Sequence, residues 1–166
     1  MKPTTCLCTV AALAALMIGS TPGAIAAASV DYVNTEKMTD VPRYPSDLES
    51  MKLTLLEHFN VLAARLPAGQ DLHVDIIDID LAGDVFPRVA IQDVRVMKGR
   101  ADWPRMHLRY RIEQNGAVLR SGERELSDPN YMMSTNRYSN ELYGHEKEML
   151  DDWFRKDVLG GAKPKS

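Results

Sequence analysis

The chain has 166 residues, of which 45% are hydrophobic and 26% charged, and its formal net charge is −3 at pH 7. This length is enough for one domain and short for two. The mild acidity argues against nucleic acid as the main partner, because phosphate binding favours a basic surplus.

The first 28 residues have the pattern of a cleavable signal peptide. Lys2 gives a positive start, and an apolar run follows from Leu7 to Ile18. Ala24-Ile25-Ala26 and Ala26-Ala27-Ala28 both offer the small-x-small sequence that signal peptidase requires. The apolar run has about 12 residues, short of the roughly 20 that a membrane-spanning helix needs.

These features predict export to the periplasm, with secretion from the cell as the alternative. Both cysteines, Cys6 and Cys8, lie within the predicted signal peptide, so the mature chain is predicted to contain neither a thiol nor a disulfide. Residues 29–161 are then expected to form a single domain, followed by a mobile tail at residues 162–166. No integral membrane span is expected after cleavage of the signal peptide.

Two helices are predicted from apolar residues that recur at spacings of three and four. The first begins at Ser46, because Ser46 and Glu49 match a capping box, and it ends before Pro67. His58 lies beside the apolar stripe of this helix and is expected to have no task. The second helix is predicted from about Asn140 to Leu159.

The strands are predicted from residues that alternate between apolar and polar. Asp71–Leu81 begins with this alternation, and its phase then slips by one residue, which predicts a β-bulge. Shorter strands are expected at Ser29–Val33 and Val89–Met97. Arg105–Glu113 alternates between apolar and basic residues, and Asn115-Gly116 predicts a hairpin turn to the next strand.

The register of this hairpin is predicted from its charges. A three-residue loop, Gln114–Gly116, places His107 opposite Glu123 and Arg105 opposite Glu125. A two-residue Asn-Gly turn would place Arg111 opposite Arg120 and His107 opposite Arg124, and like charges that face each other destabilise a strand pair. The sequence therefore favours the three-residue loop.

The order of these elements is strand, helix, four strands, helix, which is typical of an α+β fold. We expect a twisted, mostly antiparallel sheet of four to five strands with two helices packed on one face. The first strand–helix–strand connection allows one parallel pair within this sheet.

Three carboxylates, Asp78, Asp80 and Asp84, are candidate ligands of a divalent cation. The first two share one face of the predicted strand and the third follows a glycine turn, and carboxylate oxygens suit a hard cation such as calcium. The alternative is that they lie on the solvent face of the sheet and bind nothing. A hydrolase that uses a pair of these carboxylates is a further alternative.

Trp103, Arg105 and Tyr131 are candidate partner-binding residues, because Trp, Tyr and Arg dominate interface energetics. The alternative is that they close one end of the core, together with Met132 and Met133. The sequence lacks a nucleophile elbow, a phosphate-binding glycine loop and a zinc signature. It therefore favours a non-catalytic module that binds an envelope protein, over a protein that binds a metal or small ligand.

Four stretches, in the same order, resemble the bacterial exported-protein family DUF3016, a domain of unknown function. They are VDYVNTEKMTDV, IIDIDLAGD, DWPRMHLRYRI and EKEMLDDWF. The likeness extends from about Val30 to Phe154, and Thr35 stands where the family pattern has proline. The resemblance implies an exported, single-domain protein, and it carries over no catalytic residues, ligand or cofactor.

Overall fold

A computed structural model describes residues 26–86 and 94–160 of the chain. The apolar run of the predicted signal peptide, part of the predicted strand Val89–Met97 and the predicted tail lie outside these residues. The elements are β1 (Ala28–Tyr32), α1 (Pro45–Ala63), β2 (Gln70–Asp80), β3 (Asp84–Phe86), β4 (Val94–Val96), β5 (Arg105–Gln114), β6 (Ala117–Ser127) and α2 (Gly144–Trp153).

The main sheet has four strands in the order β1-β2-β5-β6 and is open at both edges. β1 pairs with β2 in parallel, and the other neighbours are antiparallel. β3 and β4 form a separate two-stranded ribbon. The predicted α+β class, the mostly antiparallel sheet and the single parallel pair are therefore confirmed.

The predicted bulge lies at Ile77 of β2. Ile76 is opposite Leu108, whereas Asp78 is already opposite His107, so one extra residue has entered β2 between these pairs. An extra residue re-aims every later side chain. The bulge consequently keeps Ile79 in the core and places the carboxylates of the second half of β2 on the opposite face.

Both helices cover the same face of the sheet, as predicted. The core has no access to solvent at Phe59 of α1, Leu108 of β5 and Phe154, which follows α2. The other face of the sheet carries charged and polar side chains. Alternation of this kind is typical of an antiparallel sheet with one solvated face.

The predicted capping box at the beginning of α1 is wrong. Tyr44 is the N-cap and Pro45 is the first helical residue, while the Ser46 hydroxyl donates to Asp47. Proline suits this position because its missing N–H would have no partner in the first helical turn and its φ is already helical. The helix therefore begins one residue earlier than predicted.

The second helix begins later than predicted, at Gly144. Tyr143 precedes it in the left-handed conformation (φ 56°), so residues 140–143 form turns and not the first helical turn. Wider π-helical turns at Phe154–Val158 follow α2 and complete its packing on the sheet.

The predicted hairpin register is also wrong. Gln114 pairs directly with Ala117, which leaves a two-residue turn at Asn115 and Gly116 with φ of 52° and 77°. This left-handed pair is typical of a type I′ turn. A second bulge then shifts the register in β6, so that opposite charges still face each other. Loop length alone therefore does not determine the register, because the bulge in β6 moves every later pair by one residue.

The residues at the second predicted cleavage site belong to the described fold. The Ala27 N–H donates to Asp71 Oδ1 at 3.2 Å, and the Ala28 N–H donates to Asn60 Oδ1 at 3.0 Å. Cleavage after Ala28 would remove both donors, whereas cleavage after Ala26 retains them.

We therefore predict that the mature protein begins at Ala27. Its new ammonium group would lie beside the Asp71 carboxylate, where a charge-assisted contact replaces an amide hydrogen bond. Intact-mass measurement of the protein isolated from the envelope fraction should give the mass of residues 27–166. A mature N-terminus at Ser29 would contradict this prediction.

Candidate functional site

Two of the predicted metal ligands are already bound by protein groups. Asp78 accepts hydrogen bonds from the amide and the hydroxyl of Thr39, at 2.6 and 2.7 Å. Asp80 forms a salt bridge with Arg105, with 2.7 Å between Oδ2 and Nη1. These contacts fasten the segment before α1 and the beginning of β5 to the second half of β2.

The third carboxylate, Asp84, forms a salt bridge of 2.7 Å with Lys98. Within residues 26–86 and 94–160, no three His, Cys, Asp or Glu side chains are grouped so that they could hold a metal ion. Cation binding by Asp78, Asp80 and Asp84 stays a prediction, and each carboxylate would have to exchange a present contact for the cation.

The predicted partner-binding residues separate into two environments. The Arg105 guanidinium lies over the Trp103 ring at 4.6 Å, and both side chains reach solvent. Tyr131 is buried, its hydroxyl accepts from the Gly99 N–H at 3.3 Å, and its ring contacts His145 edge-on. Trp103 and Arg105 stay candidate contacts, whereas Tyr131 supports the loop beside them from within.

The alternative that these residues close one end of the core together with Met132 and Met133 is wrong for the two methionines. Met132 is exposed and Met133 is 90% exposed. The loop that begins at Met97 is instead organised by Asp102, whose carboxylate accepts the N–H groups of Lys98 and Arg100. These donors lower the pKa of Asp102. The loop thereby holds Met97 near the end of β2.

A cavity of about 540 Å³ lies where the first turns of α1 and α2 approach the end of β2 and the β3–β4 ribbon. Residues 40–44 and 136–146 form much of its wall, and the ribbon contributes Val85, Arg95 and Met97. The sequence did not predict this cavity, because its walls come from five separate parts of the chain.

Arg95 fastens the ribbon to this cavity. Its Nη1 donates to Asp40 Oδ2 at 2.6 Å and to the carbonyl oxygen of Gly83 at 2.6 Å, with a longer contact to the Leu81 carbonyl. One guanidinium group thus neutralises a carboxylate and donates hydrogen bonds to backbone carbonyl oxygens of the segment that follows β2. Arg95 is therefore a positioning group and its charge is largely compensated.

Glu146, in the first turn of α2, is the most buried charged side chain of the cavity wall, with 3% exposure. Its Oε1 accepts the Ala82 N–H at 2.7 Å. In the part of the chain that the structure describes, no other hydrogen-bond donor reaches this carboxylate. The positive end of the helix dipole stabilises the carboxylate partly, because an acidic group in the first turn complements the dipole.

Tyr143, the residue before α2, is influenced by the charges of both Arg95 and Glu146. A left-handed backbone is rare for so bulky a residue. Burial raises the pKa of Tyr143, while Arg95 nearby lowers it and Glu146 raises it. Both charged groups therefore act on the hydroxyl of Tyr143 at the beginning of α2.

The rim of the cavity is open to solvent and carries both apolar and charged side chains, the latter being Arg43, Asp47 and Glu141. Tyr44 and Met97 are exposed, and Leu142 is 67% exposed. Large exposed apolar side chains that surround a concave site indicate a binding surface more often than isolated ones do. The cavity is therefore amphipathic, with Glu146, Asp40 and Arg95 inside and both apolar and charged groups around its mouth.

A buried carboxylate holds the cavity wall in place. Asp151 of α2 is 4% exposed and accepts hydrogen bonds from Arg137 Nη2 at 2.6 Å, the Tyr138 hydroxyl at 2.8 Å and Arg65 Nη1 at 3.1 Å. Burial and the bond to Asp151 raise the pKa of Tyr138 to about 12. The 136–143 segment is thus tied to both helices.

His58 has a structural task that the sequence did not indicate. It is buried, and its Nε2 lies 3.1 Å from the carbonyl oxygen of Lys147, to which the neutral ring donates. Burial lowers the pKa of His58, so its neutral form is favoured. The hydrogen bond joins α1 to the first turns of α2.

The arrangement closest to a nucleophile–base pair lies on the solvated face of the sheet. The Ser29 hydroxyl is 2.6 Å from His73 Nδ1, and His73 Nε2 is 3.6 Å from Glu113. The second distance is too long for a hydrogen bond. These three residues lie outside the cavity wall, on strands whose neighbouring amides take part in sheet pairing.

The fold and the cavity together define an open-sheet α+β domain with an amphipathic site at the N-terminal ends of its two helices. The chain belongs to the family described as "Protein of unknown function (DUF3016)", whose model matches residues 26–156. The resemblance of the four stretches is thereby confirmed, and the match begins where the described fold begins. No curated protein and no solved structure matches the chain significantly.

Within the described ranges, neither helix is long and apolar enough to cross a membrane.

Proposed function

We propose that this protein is an exported, non-catalytic module that binds a segment of another envelope protein in the cavity. The observation that carries the proposal is the combination of a buried carboxylate and half-buried charged groups inside the cavity with exposed apolar side chains at its mouth. Concave sites with apolar walls and a few convergent polar groups are the usual binding sites of proteins. The predicted signal peptide supports the periplasm as the place of action.

The geometry supports binding over catalysis. Arg95 is compensated by Asp40 and by carbonyl oxygens, so it is not available to stabilise a developing negative charge. His145 is engaged by the Asn136 amide at 3.2 Å. The Ser29–His73 pair has no oriented carboxylate and lies outside the cavity, so it lacks the third group and the enclosure that nucleophilic catalysis uses.

Site-specific photocrosslinking in cells tests the proposal. A benzoylphenylalanine at Leu142, on the rim, should form an adduct with an envelope protein, because this side chain is exposed at the cavity mouth. The matched control is Val61, an equally accessible apolar residue on the far part of α1. Adducts of equal yield at both positions would contradict binding in the cavity.

A second variant connects the adduct with the cavity. Ser139 is an exposed residue of the cavity wall, so Ser139→Trp should narrow the cavity without disturbing the core. The yield of the Leu142 adduct should fall several-fold in this variant. An unchanged yield would place the partner on the rim alone and overturn the proposal.

A further inference from the structure

We infer that the cavity recognises a lysine or arginine side chain flanked by apolar residues, and that Glu146 binds its positive charge. The inference rests on the proposed function and names the chemistry of the segment that the cavity takes. Three observations support it. Glu146 has no cationic partner among the described residues, carboxylates outnumber guanidinium groups in the cavity wall, and apolar side chains lie at the cavity mouth.

Glu146 differs from its neighbours in having no cationic side chain beside it. Asp40 has Arg95 at 2.6 Å, and Glu141 has Lys147 at 2.7 Å. Among the described residues, no Lys, Arg or His nitrogen lies within salt-bridge distance of Glu146. A buried carboxylate is unfavourable unless it is paired and hydrogen-bonded. The single Ala82 amide and the helix dipole supply part of this compensation, and a cation from a partner would supply the rest.

The charges of the cavity wall also favour a cationic ligand. Formal negative charges outnumber formal positive charges by four to two among the carboxylates and guanidinium groups of the wall. They are Asp40, Asp47, Glu141, Glu146, Arg43 and Arg95. Low-dielectric walls strengthen the field inside a concave site. An anionic ligand would meet a surplus of carboxylates, whereas a cationic side chain would meet Glu146, the one of these four carboxylates that is buried and has no cationic partner among the described residues.

The rim suits apolar residues on both sides of the basic one. Met97 is adaptable in shape, because methionine has three rotatable bonds and a polarisable sulfur. Tyr44 has an exposed ring, against which the stem of a lysine or arginine side chain can pack and with which its charge can form a cation–π interaction. Leu142 adds apolar area at the mouth. A basic residue between two apolar residues matches a buried carboxylate inside the cavity with exposed apolar side chains at the mouth.

Two peptides test this inference against the ¹⁵N-labelled mature domain, acetyl-Leu-Lys-Leu-amide and acetyl-Leu-norleucine-Leu-amide. They have similar apolar area, and only the first carries an ammonium group. The lysine peptide should shift the amide resonances of Ala82 and Gly144 and bind at least about tenfold more tightly than the norleucine peptide. Chemical-shift titration measures both affinities.

Glu146→Gln should abolish this preference while the fold is retained, because the amide oxygen of glutamine still accepts the Ala82 N–H. Glu57→Gln is the matched control, since Glu57 is an exposed residue of α1 outside the cavity wall. The control should keep the full preference for the lysine peptide.

Equal affinities for the two peptides would overturn the inference and leave the proposed function standing. No shift from the lysine peptide up to about 5 mM, together with the Leu142 adduct in cells, would also overturn the inference alone. Absence of the adduct would overturn the proposed function and the inference with it.

Discussion

Replacing Asp151 with asparagine should lower the free energy of unfolding by about 3 kcal/mol. The buried carboxylate accepts from Arg65, Arg137 and Tyr138, and hydrogen bonds to a charged group contribute about 1.5–3 kcal/mol each. The loss is smaller than the sum, because the Arg65 and Arg137 side chains are 37% and 60% exposed and can be rehydrated. The midpoint of thermal unfolding should fall by roughly 10 °C.

Circular dichroism during heating and urea titration measures this change. Asp31→Asn is the matched control, because Asp31 is an exposed residue of β1. It should change the free energy of unfolding by less than about 0.5 kcal/mol. If Asp151→Asn were as stable as the control, the three hydrogen bonds would contribute nothing net and another contact would have to hold the cavity wall.

Replacing Gly144 with alanine should destabilise the protein by about 2 kcal/mol, although alanine is the better helix former. A Cβ atom at this position would lie 2.1 Å from the carbonyl oxygen of Tyr138. The contact is with backbone, so the beginning of α2 or the 136–143 segment must move. Overpacking costs about 1–3 kcal/mol, and the upper end applies here because backbone must move. Subtracting the propensity gain of about 1 kcal/mol leaves a net loss of about 2 kcal/mol.

The comparison for this variant is Gly122→Ala in β6. There an added Cβ meets the far end of the Tyr110 ring at 2.9 Å, and a side chain can turn away where a backbone carbonyl cannot. Urea titration of both variants should give the larger loss for Gly144→Ala. A larger loss for Gly122→Ala would show that the 136–143 segment moves at little cost in free energy, and that the cavity wall is not rigid there.

The sequence predicted those parts of the fold in which burial leaves a regular pattern. The bulge at Ile77 was visible because apolar residues on both sides of it must face one core, so the slip in their phase is recorded in the sequence. The bulge of β6 was not visible, because this edge strand is exposed on most of its length and has no apolar phase to interrupt. The pairing register of β6 depends on contacts between opposite charges, and several registers allow such contacts.

The beginning of α2 was misplaced for a related reason. Residues 140–143 have no helix breaker, and their turn conformation follows from distant contacts. Arg137 and Tyr138 bind Asp151, more than two helical turns further along the chain. A local sequence pattern does not reveal such a contact, because each partner is an ordinary polar residue when it is considered alone.

The candidate site was predictable only in part. The carboxylates of the Asp78–Asp84 segment could be recognised, whereas Thr39, Arg105 and Lys98, which bind them, could not. The buried acids Glu146 and Asp151 did leave a signal, because they lie on the apolar side of α2, where Leu150 is fully buried. A charged residue within such a stripe needs a partner.

The parallel pairing of β1 with β2 has a consequence for the time course of folding. β1 is the first strand of the chain to be synthesised, yet its partner follows only after the whole of α1. Pairing between distant segments is slow, because the loop must close before any contact stabilises it. For the export that we propose, the region next to the signal peptide would remain unpaired at least until β2 has been synthesised. An unpaired segment of this kind can still pass through a translocation pore.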